Sequence, residues 1–430
     1  MIEIKGKHSK DVKVFIDNVE DEAISQIYAL ADHPAFEGAK IRIMPDTHAG
    51  KGIVIGFSCP LDKYVSPAHV GCDIGCQMTT LLYKGQTLDD VVLTEHQIKK
   101  SVPMGFEIHD KKVFDDKTFY KYMNKKMSQA RSAWPEMVYD TDVNEKYVTN
   151  MLQRIGMDAG MFYKSLGTLG GGNHFMEIGT NEDYTGFTVH CGSRNFGLKV
   201  FKYWEKVSKD NKPDRNTILK ITAEAKANCK DKMKIKEAID KAVGEYTKNF
   251  YNGYLTGEAM KGYITDLFFA QAYASFNHEC IVKIVTPILA KHGLKKLTET
   301  VNTVHNYIDP LDHIIRKGAV RAYEGEKIVI PFNMRDGLAI CEGKSNDDWN
   351  CTAPHGAGRI MSRAKAKETI SLDEYTKSMD GIYTTCINRQ TIDESPMAYK
   401  DMNVILECIK PTADVLFLLK PIVNLKAGED

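Results

Sequence analysis

Leu166-Gly167-Thr168-Leu169-Gly170-Gly171-Gly172-Asn173-His174 is the most glycine-dense stretch of this 430-residue chain, and it runs straight into an apolar strand, Phe175 to Ile178. Phe187 to His190 reads as the hairpin partner of that strand. A histidine then stands at the mouth of each strand, His174 on one and His190 on the other, so the two can converge across the hairpin. The glycine run lacks the Lys-Ser/Thr of a P-loop and the spacing of a dinucleotide fingerprint, and a plain tight turn would account for it equally well.

Outward from this hairpin, strands and helices are unevenly spread. Val12 to Ile16 is a short strand, followed by an acidic-fronted helix through Ala31 with Ile24, Ile27, Tyr28 and Ala31 at helical spacing. Ile41 to Met44 is a strand that ends at the polar segment Pro45 to Gly52, and Ile53 to Cys59 is a buried strand closed by Pro60. Val70 to Cys76 is a tight loop leading into the strand Met78 to Tyr83. From Asp89 to about Gly160 the pattern is mostly helical, with loops near Pro103 and Pro135. Residues 199 to 295 are lysine-rich and helical, interrupted near Pro213 and Gly253, and read as a helical lobe inserted in a sheet-rich core, their lysines an ordinary solvated face in preference to a dedicated RNA stripe. Strands return at Thr300 to Ile308, Ala319 to Tyr323, Lys327 to Pro331 and Leu338 to Cys341. A last helical pair, Met361 to Ala366 and Met402 to Glu407, precedes a tail from Pro421 to Gly428. The fold class is α+β.

Lysine plus arginine and aspartate plus glutamate both number 57, so overall charge does not advertise a nucleic-acid binder, and any basic surface must be local. The ten cysteines are scattered through a chain too long and apolar to need a disulfide framework, which makes reduced thiols the expectation. There is no apolar run of membrane-spanning length and no secretion signal at the start. A soluble, cytoplasmic protein follows as the expectation, with a monomer as the default because the sequence does not fix the oligomeric state.

Asn350 to Arg363 is where the chemistry is placed. His355 follows Pro354 and precedes Gly356, Ala357 and Gly358, on bent backbone with exposed amides, while Arg359 and Arg363 offer fork-shaped cations suited to phosphate. A histidine in this setting can attack or hold a phosphoryl group, or it can be a structural residue in a glycine-rich turn. Asp73, Cys76, His174, His190 and His305 are candidate metal ligands. One carboxylate, one thiolate and three imidazoles suit a borderline divalent ion, zinc or manganese, and a thiolate can bridge two ions.

Several blocks together resemble the RtcB family of RNA-splicing ligases: Met44 to Gly52, Val70 to Cys76, Leu166 to Glu177, His190 to Arg194, Val304 to Tyr307, Arg316 to Ala319, His355 to Arg359, Asp393 to Lys400 and Lys426. They fall in the family's order and cover nearly the whole chain. The resemblance implies a single α+β catalytic domain spanning residues 1–430. The implied activity is GTP-dependent joining of an RNA end with a 3′-phosphate or 2′,3′-cyclic phosphate to a 5′-hydroxyl end. His355 would take GMP as a phosphoramidate. Two manganese ions would be held by Asp73, Cys76, His174, His190 and His305, with Cys76 between them. Asn173, His174, Glu177, Asn306, Gly356, Ala357, Gly358 and Lys426 would surround the nucleotide, and Arg194 and Arg359 would contact phosphate or RNA.

Pro331-Phe332-Asn333-Met334-Arg335-Asp336-Gly337-Leu338 departs from the family's small-residue turn on the guanine side. Asn333 and Asp336 are expected to meet the guanine edge, Asp336 at its N1–H and N2 donors. The departure suggests a divergent branch serving RNA repair rather than tRNA splicing. Two other readings compete with the ligase: a metal-dependent cyclic phosphodiesterase, which would need the metal ligands but not His355, and a non-catalytic binder of RNA ends or nucleotides.

Overall fold

The structure is a computed structural model describing residues 1–428 apart from 211, 212, 214, 248 and 249. Its strands are β1 (Ile2–Ile4), β2 (Asp11–Val14), β3 (Lys40–His48), β4 (Ile55–Pro60), β5 (Gln77–Lys84), β6 (Phe175–Thr180), β7 (Tyr184–Cys191), β8 (Glu299–Ile308), β9 (Ile314–Arg321), β10 (Lys327–Asn333), β11 (Gly337–Gly343), β12 (Thr352–Pro354), β13 (Tyr383–Thr384) and β14 (Ala413–Leu425). The hairpin read from the sequence is present. Asn181 Oδ1 accepts the amides of Asp183 and Tyr184, an Asx turn that reverses the chain between β6 and β7.

From that hairpin the sheet extends both ways in the order β1-β2-β3-β4-β9-β8-β5-β7-β6-β14-β11-β10, with β12 on β9 and β13 on β14. Pairing is antiparallel except for β2 with β3 and β13 with β14. The far end curls back, so that Val329 N of β10 donates to Thr303 Oγ1 of β8. Inside the curl Met78, Leu82, Val301, Val329, Leu338, Ile340 and Leu419 form a small apolar core. With helices packed against this large mixed sheet, the fold is α+β, as the sequence indicated.

Helices α1 (Asp21–Ala31), α2 (Val91–Ser101), α3 (Asp116–Ala133), α4 (Glu145–Ile155), α5 (Ala159–Lys164), α6 (Arg194–Asp210), α7 (Arg215–Asn228), α8 (Ile235–Thr247) and α9 (Gly257–Lys291) supply the main helical layer. The starts of α2 to α5 are written in the sequence: Asp90, Asp115, Asn144 and Asp158 each accept a first-turn amide. Within residues 199 to 295 burial divides sharply. α7 and α8 bury no residue, whereas α9 is apolar nearly all round and buried over most of Tyr263 to Ile281. At 35 residues α9 is roughly 50 Å long, and it joins the large core around Phe119, Phe162 and Phe269 to a second one around Ile281, Val285 and Leu289.

Three local readings are corrected. On α1 the buried positions are Ala23, Ile27, Leu30 and Ala31, and Tyr28 is exposed, because the apolar stripe is rotated by a residue from the one expected. β3 does not stop at Met44 but runs through Pro45 to His48, and its register against β4 shifts between Ile43 and His48, where a proline is tolerated. The segment from Pro421 is no tail: β14 lies between β6 and β11, with the irregularity at Pro421/Val423 absorbing the missing amide.

Candidate active site

Cys76 leaves its loop one residue before β5, and the antiparallel registers bring its neighbours to the same end of the sheet. Met78 faces His190 on β7, and His305 N on β8 donates to Cys76 O. His174 arrives from the glycine loop just ahead of β6. Cys76 Sγ therefore lies 3.2 Å from His190 Nε2 and 3.6 Å from His174 Nε2. His190 Nε2 is 3.1 Å from His305 Nε2, and His174 Nε2 is 2.9 Å from Asp73 Oδ2.

Cys76, His190 and His305 thus form one three-donor cluster, and Asp73, Cys76 and His174 form another that shares the thiol. The donor chemistry fits divalent metal. His190 Nδ1 donates to Asn173 O, which turns its Nε2 lone pair toward His305 and Cys76, an arrangement with little to stabilise it unless a cation takes the lone pairs. Burial, followed by the neighbouring imidazoles His355 and His190, holds His305 well below the usual histidine range. Burial also lowers His190 strongly and raises the Cys76 thiol well above its ordinary value. Burial pushes Asp73 up, but His174 beside it outweighs that and holds the carboxyl at about 2. The glycine loop is shaped around this cluster. Gly170 has φ of 91°, and a Cβ there would overlap the Arg194 guanidinium and come within 2.7 Å of His174 Nδ1.

His355 stands beside the cluster, its ring centroid 4.9 Å from that of His305. Its Nδ1–H donates to Asp46 Oδ2 at 2.6 Å, and its backbone amide donates to the same oxygen at 3.1 Å. Asp46 is fully buried on the part of β3 that the sequence did not read as strand. Gly358 lets the two segments touch, since a Cβ there would run into the Asp46 carbonyl. The His355 Nε2 is left as the free nitrogen.

A cavity of about 600 Å³ opens over His355. It is lined by Asn173, Glu177, His190, Asn333, Gly356, Ala357, Gly358, Arg359 and Lys426 among others. At its cationic end Glu394 is the organiser, accepting from Lys426 Nζ at 2.8 Å and from Tyr399 Oη at 2.9 Å, with Arg363 and Arg359 paired to its other oxygen. Burial pushes Glu394 up, but Lys426 and Arg363 hold it at about 2. Glu177 is the opposite case: burial raises it to about 8 against the pull of Lys426.

The sequence matches the family described as tRNA-splicing ligase RtcB over residues 26–427. The chain belongs to the RtcB family. It is 28% identical to the RNA-splicing ligase RtcB of Escherichia coli (strain K12), with 95% of each chain covered. It is 26% identical to the tRNA-splicing ligase RtcB of Aeropyrum pernix over 85% of this chain and 83% of that one, and 24% identical to that of Archaeoglobus fulgidus over 91% and 88%. Among the described residues no helix is long and apolar enough to cross a membrane.

Within this RtcB-family site three expected contacts are engaged elsewhere. Asn306, at φ of 68°, accepts Gly318 N and reaches the Asp73 carbonyl, bracing the loop that carries Asp73 rather than lining the cavity. Arg194 donates to Thr168 Oγ1 and Gly105 O and so clamps the glycine loop. Asp336 is forked by Arg335 and also accepts from Asn333, which in turn accepts the amides of Arg335 and Asp336, so the polar groups of that turn are largely spent on one another. Residues given no role from sequence also emerge. Asp46 and Glu394 lie inside the motifs that carry the family resemblance, but nothing in their local sequence singled them out. Nor did anything mark Asn277, in the middle of α9.

Proposed function

We propose that this RtcB-family protein is a cytoplasmic, monomeric RNA ligase that uses GTP to join a 3′-phosphate or 2′,3′-cyclic phosphate end to a 5′-hydroxyl end, in RNA repair or tRNA splicing. One observation carries the reading: His355, tethered through Nδ1 to buried Asp46, keeps Nε2 free beside two donor triplets that share Cys76. A neutral imidazole held in this tautomer is a competent nucleophile toward phosphorus.

His355 Nε2 attacks the α-phosphorus of GTP, forming a P–N bond as the bond to pyrophosphate breaks. Asp46 holds the Nδ1 proton and steadies the positive ring that results. The GMP then passes to an oxygen of the RNA 3′-phosphate and the P–N bond breaks. Finally the 5′-hydroxyl oxygen attacks that 3′-phosphorus and GMP leaves; a cyclic end must first be opened by water. Lys426, Arg359 and Arg363, tethered by Glu394, offer cations along the cavity wall for the triphosphate. Asp73, Cys76 and His174 would hold one divalent ion and Cys76, His190 and His305 a second, manganese by family resemblance and zinc by donor chemistry alone, supplying positive charge against the phosphate oxygens.

Incubation with labelled GTP and manganese tests the reading. An acid-labile label should appear on the wild-type chain and be lost in His355→Ala. Wild-type protein that never takes the label would overturn the ligase mechanism, and RNA-end hydrolysis that survives His355→Ala without nucleotide would favour a phosphodiesterase instead.

A further inference from the structure

Two side chains that line the cavity keep a buried oxygen with no partner among the described residues: Glu177 Oε1 and Asn424 Oδ1. They face each other across the antiparallel β6–β14 register, so they lie on one face of the sheet. Asn424 is almost fully buried, and its Nδ2 donates to Met334 O at 2.8 Å. That bond fixes which end of the amide is which and leaves the carbonyl oxygen as the unsatisfied end. Buried acceptors in native proteins are seldom left bare, and a neighbouring pair beside an open cavity calls for a ligand carrying neighbouring donors. The turn that follows β10 does not compete for this role, because Asn333, Arg335 and Asp336 satisfy one another.

We propose that Asn424 is a base-selecting residue: its Oδ1 accepts the 2-amino group of a 2-amino-6-oxopurine whose neighbouring N1–H is accepted by Glu177. Resting on the proposed GTP chemistry, this moves base selection from the altered turn to the β6–β14 pair inside the sheet. An adenine, whose ring nitrogen at the same place is an acceptor, would set acceptor against acceptor.

Competition binding of GMP and IMP, which differ only in the 2-amino group, tests the assignment in the full-length chain without covalent capture. Wild type should bind GMP about tenfold more tightly, as expected for one hydrogen bond to an otherwise unsatisfied group. Asn424→Leu, and the smaller Asn424→Ser, should weaken GMP and leave IMP unchanged, so that the preference falls below about threefold. Equal loss for both nucleotides would mark Asn424 as merely holding the Met334 turn, and it would overturn the proposal, as would a wild type that ignores the amino group or binds neither nucleotide. Labelling with GTP is the separate check. If the label forms while GMP and IMP bind alike, only the base assignment fails; if the preference holds and no label forms, only the ligase mechanism fails.

Discussion

Glu177 is a carboxyl buried beside an ammonium, Lys426, yet burial outweighs that neighbour and raises it to about 8. The sign of the consequence is fixed. Below an ordinary carboxyl value of about 4.5 the group is protonated in both folded and unfolded chains; between there and about 8 the unfolded chain releases the proton and the folded chain keeps it. Folding stability therefore drains away at up to about 1.4 kcal/mol per pH unit across that window and levels off above it. Glu177→Gln removes this drain, so denaturant unfolding at pH 5 and pH 8 should show the variant gaining on wild type as pH rises. A gap that stays constant would mean that Glu177 is ionised in the fold. At this scale the sequence was informative where a side chain's chemistry is rare. Asp73, Cys76, His174, His190 and His305, each ordinary alone, were picked out as a set because a carboxylate, a thiol and three imidazoles suit a divalent ion, and the fold brings them into two donor triplets. It was silent about Asp46 and Asn424, since an aspartate or asparagine near a strand end has many ordinary uses, and only the fold shows which atoms are left without a partner.

Among the elements, α9 has the widest reach. Asn277, fully buried at its middle, accepts the amides of Gly167 and Thr168 through Oδ1 and donates through Nδ2 to Thr168 O, Gly192 O and Cys191 Sγ. One side chain thereby fixes the spacing between the glycine loop that presents His174 and the end of β7 that presents His190. Replacing it with Leu keeps the volume and removes those bonds. Manganese affinity, read by calorimetry below the melting temperature, should fall about 10- to 100-fold in Asn277→Leu, the usual scale for losing support behind metal ligands. Unchanged affinity would show that the loops hold themselves. The β6–β7 hairpin was readable in advance from its alternation, whereas α2 to α5 were legible only as one mostly helical stretch from Asp89 to about Gly160. β3 and β14 were not readable in full, because each carries a proline inside a strand and reads as a break unless the bulge that accommodates it is known.

For the molecule as a whole, α7 and α8 stand apart. They bury no residue, and their base is pinched where Gly253 N donates to Ser208 O at 3.1 Å. We expect a chain with residues 211–249 replaced by a short glycine-serine linker to melt within a few degrees of wild type and to take the GTP label equally well. Loss of RNA affinity alone, seen as a shallower salt dependence of binding, would then assign those lysines to the RNA backbone. Aggregation or failure to label would mean that the pair belongs to the catalytic body.

β14 follows every other described strand along the chain, yet it sits between β6 and β11, and Lys426 follows it directly. While the ribosome still holds those residues, two sheet edges face each other unpaired and the cavity over His355 lacks the wall that Asn424 and Lys426 supply. On the proposed ligase chemistry, the nascent chain cannot take GMP before β14 has joined the sheet. A chain cut short before β14 would therefore be a sticky fragment with open edges, a natural target for chaperones and proteases.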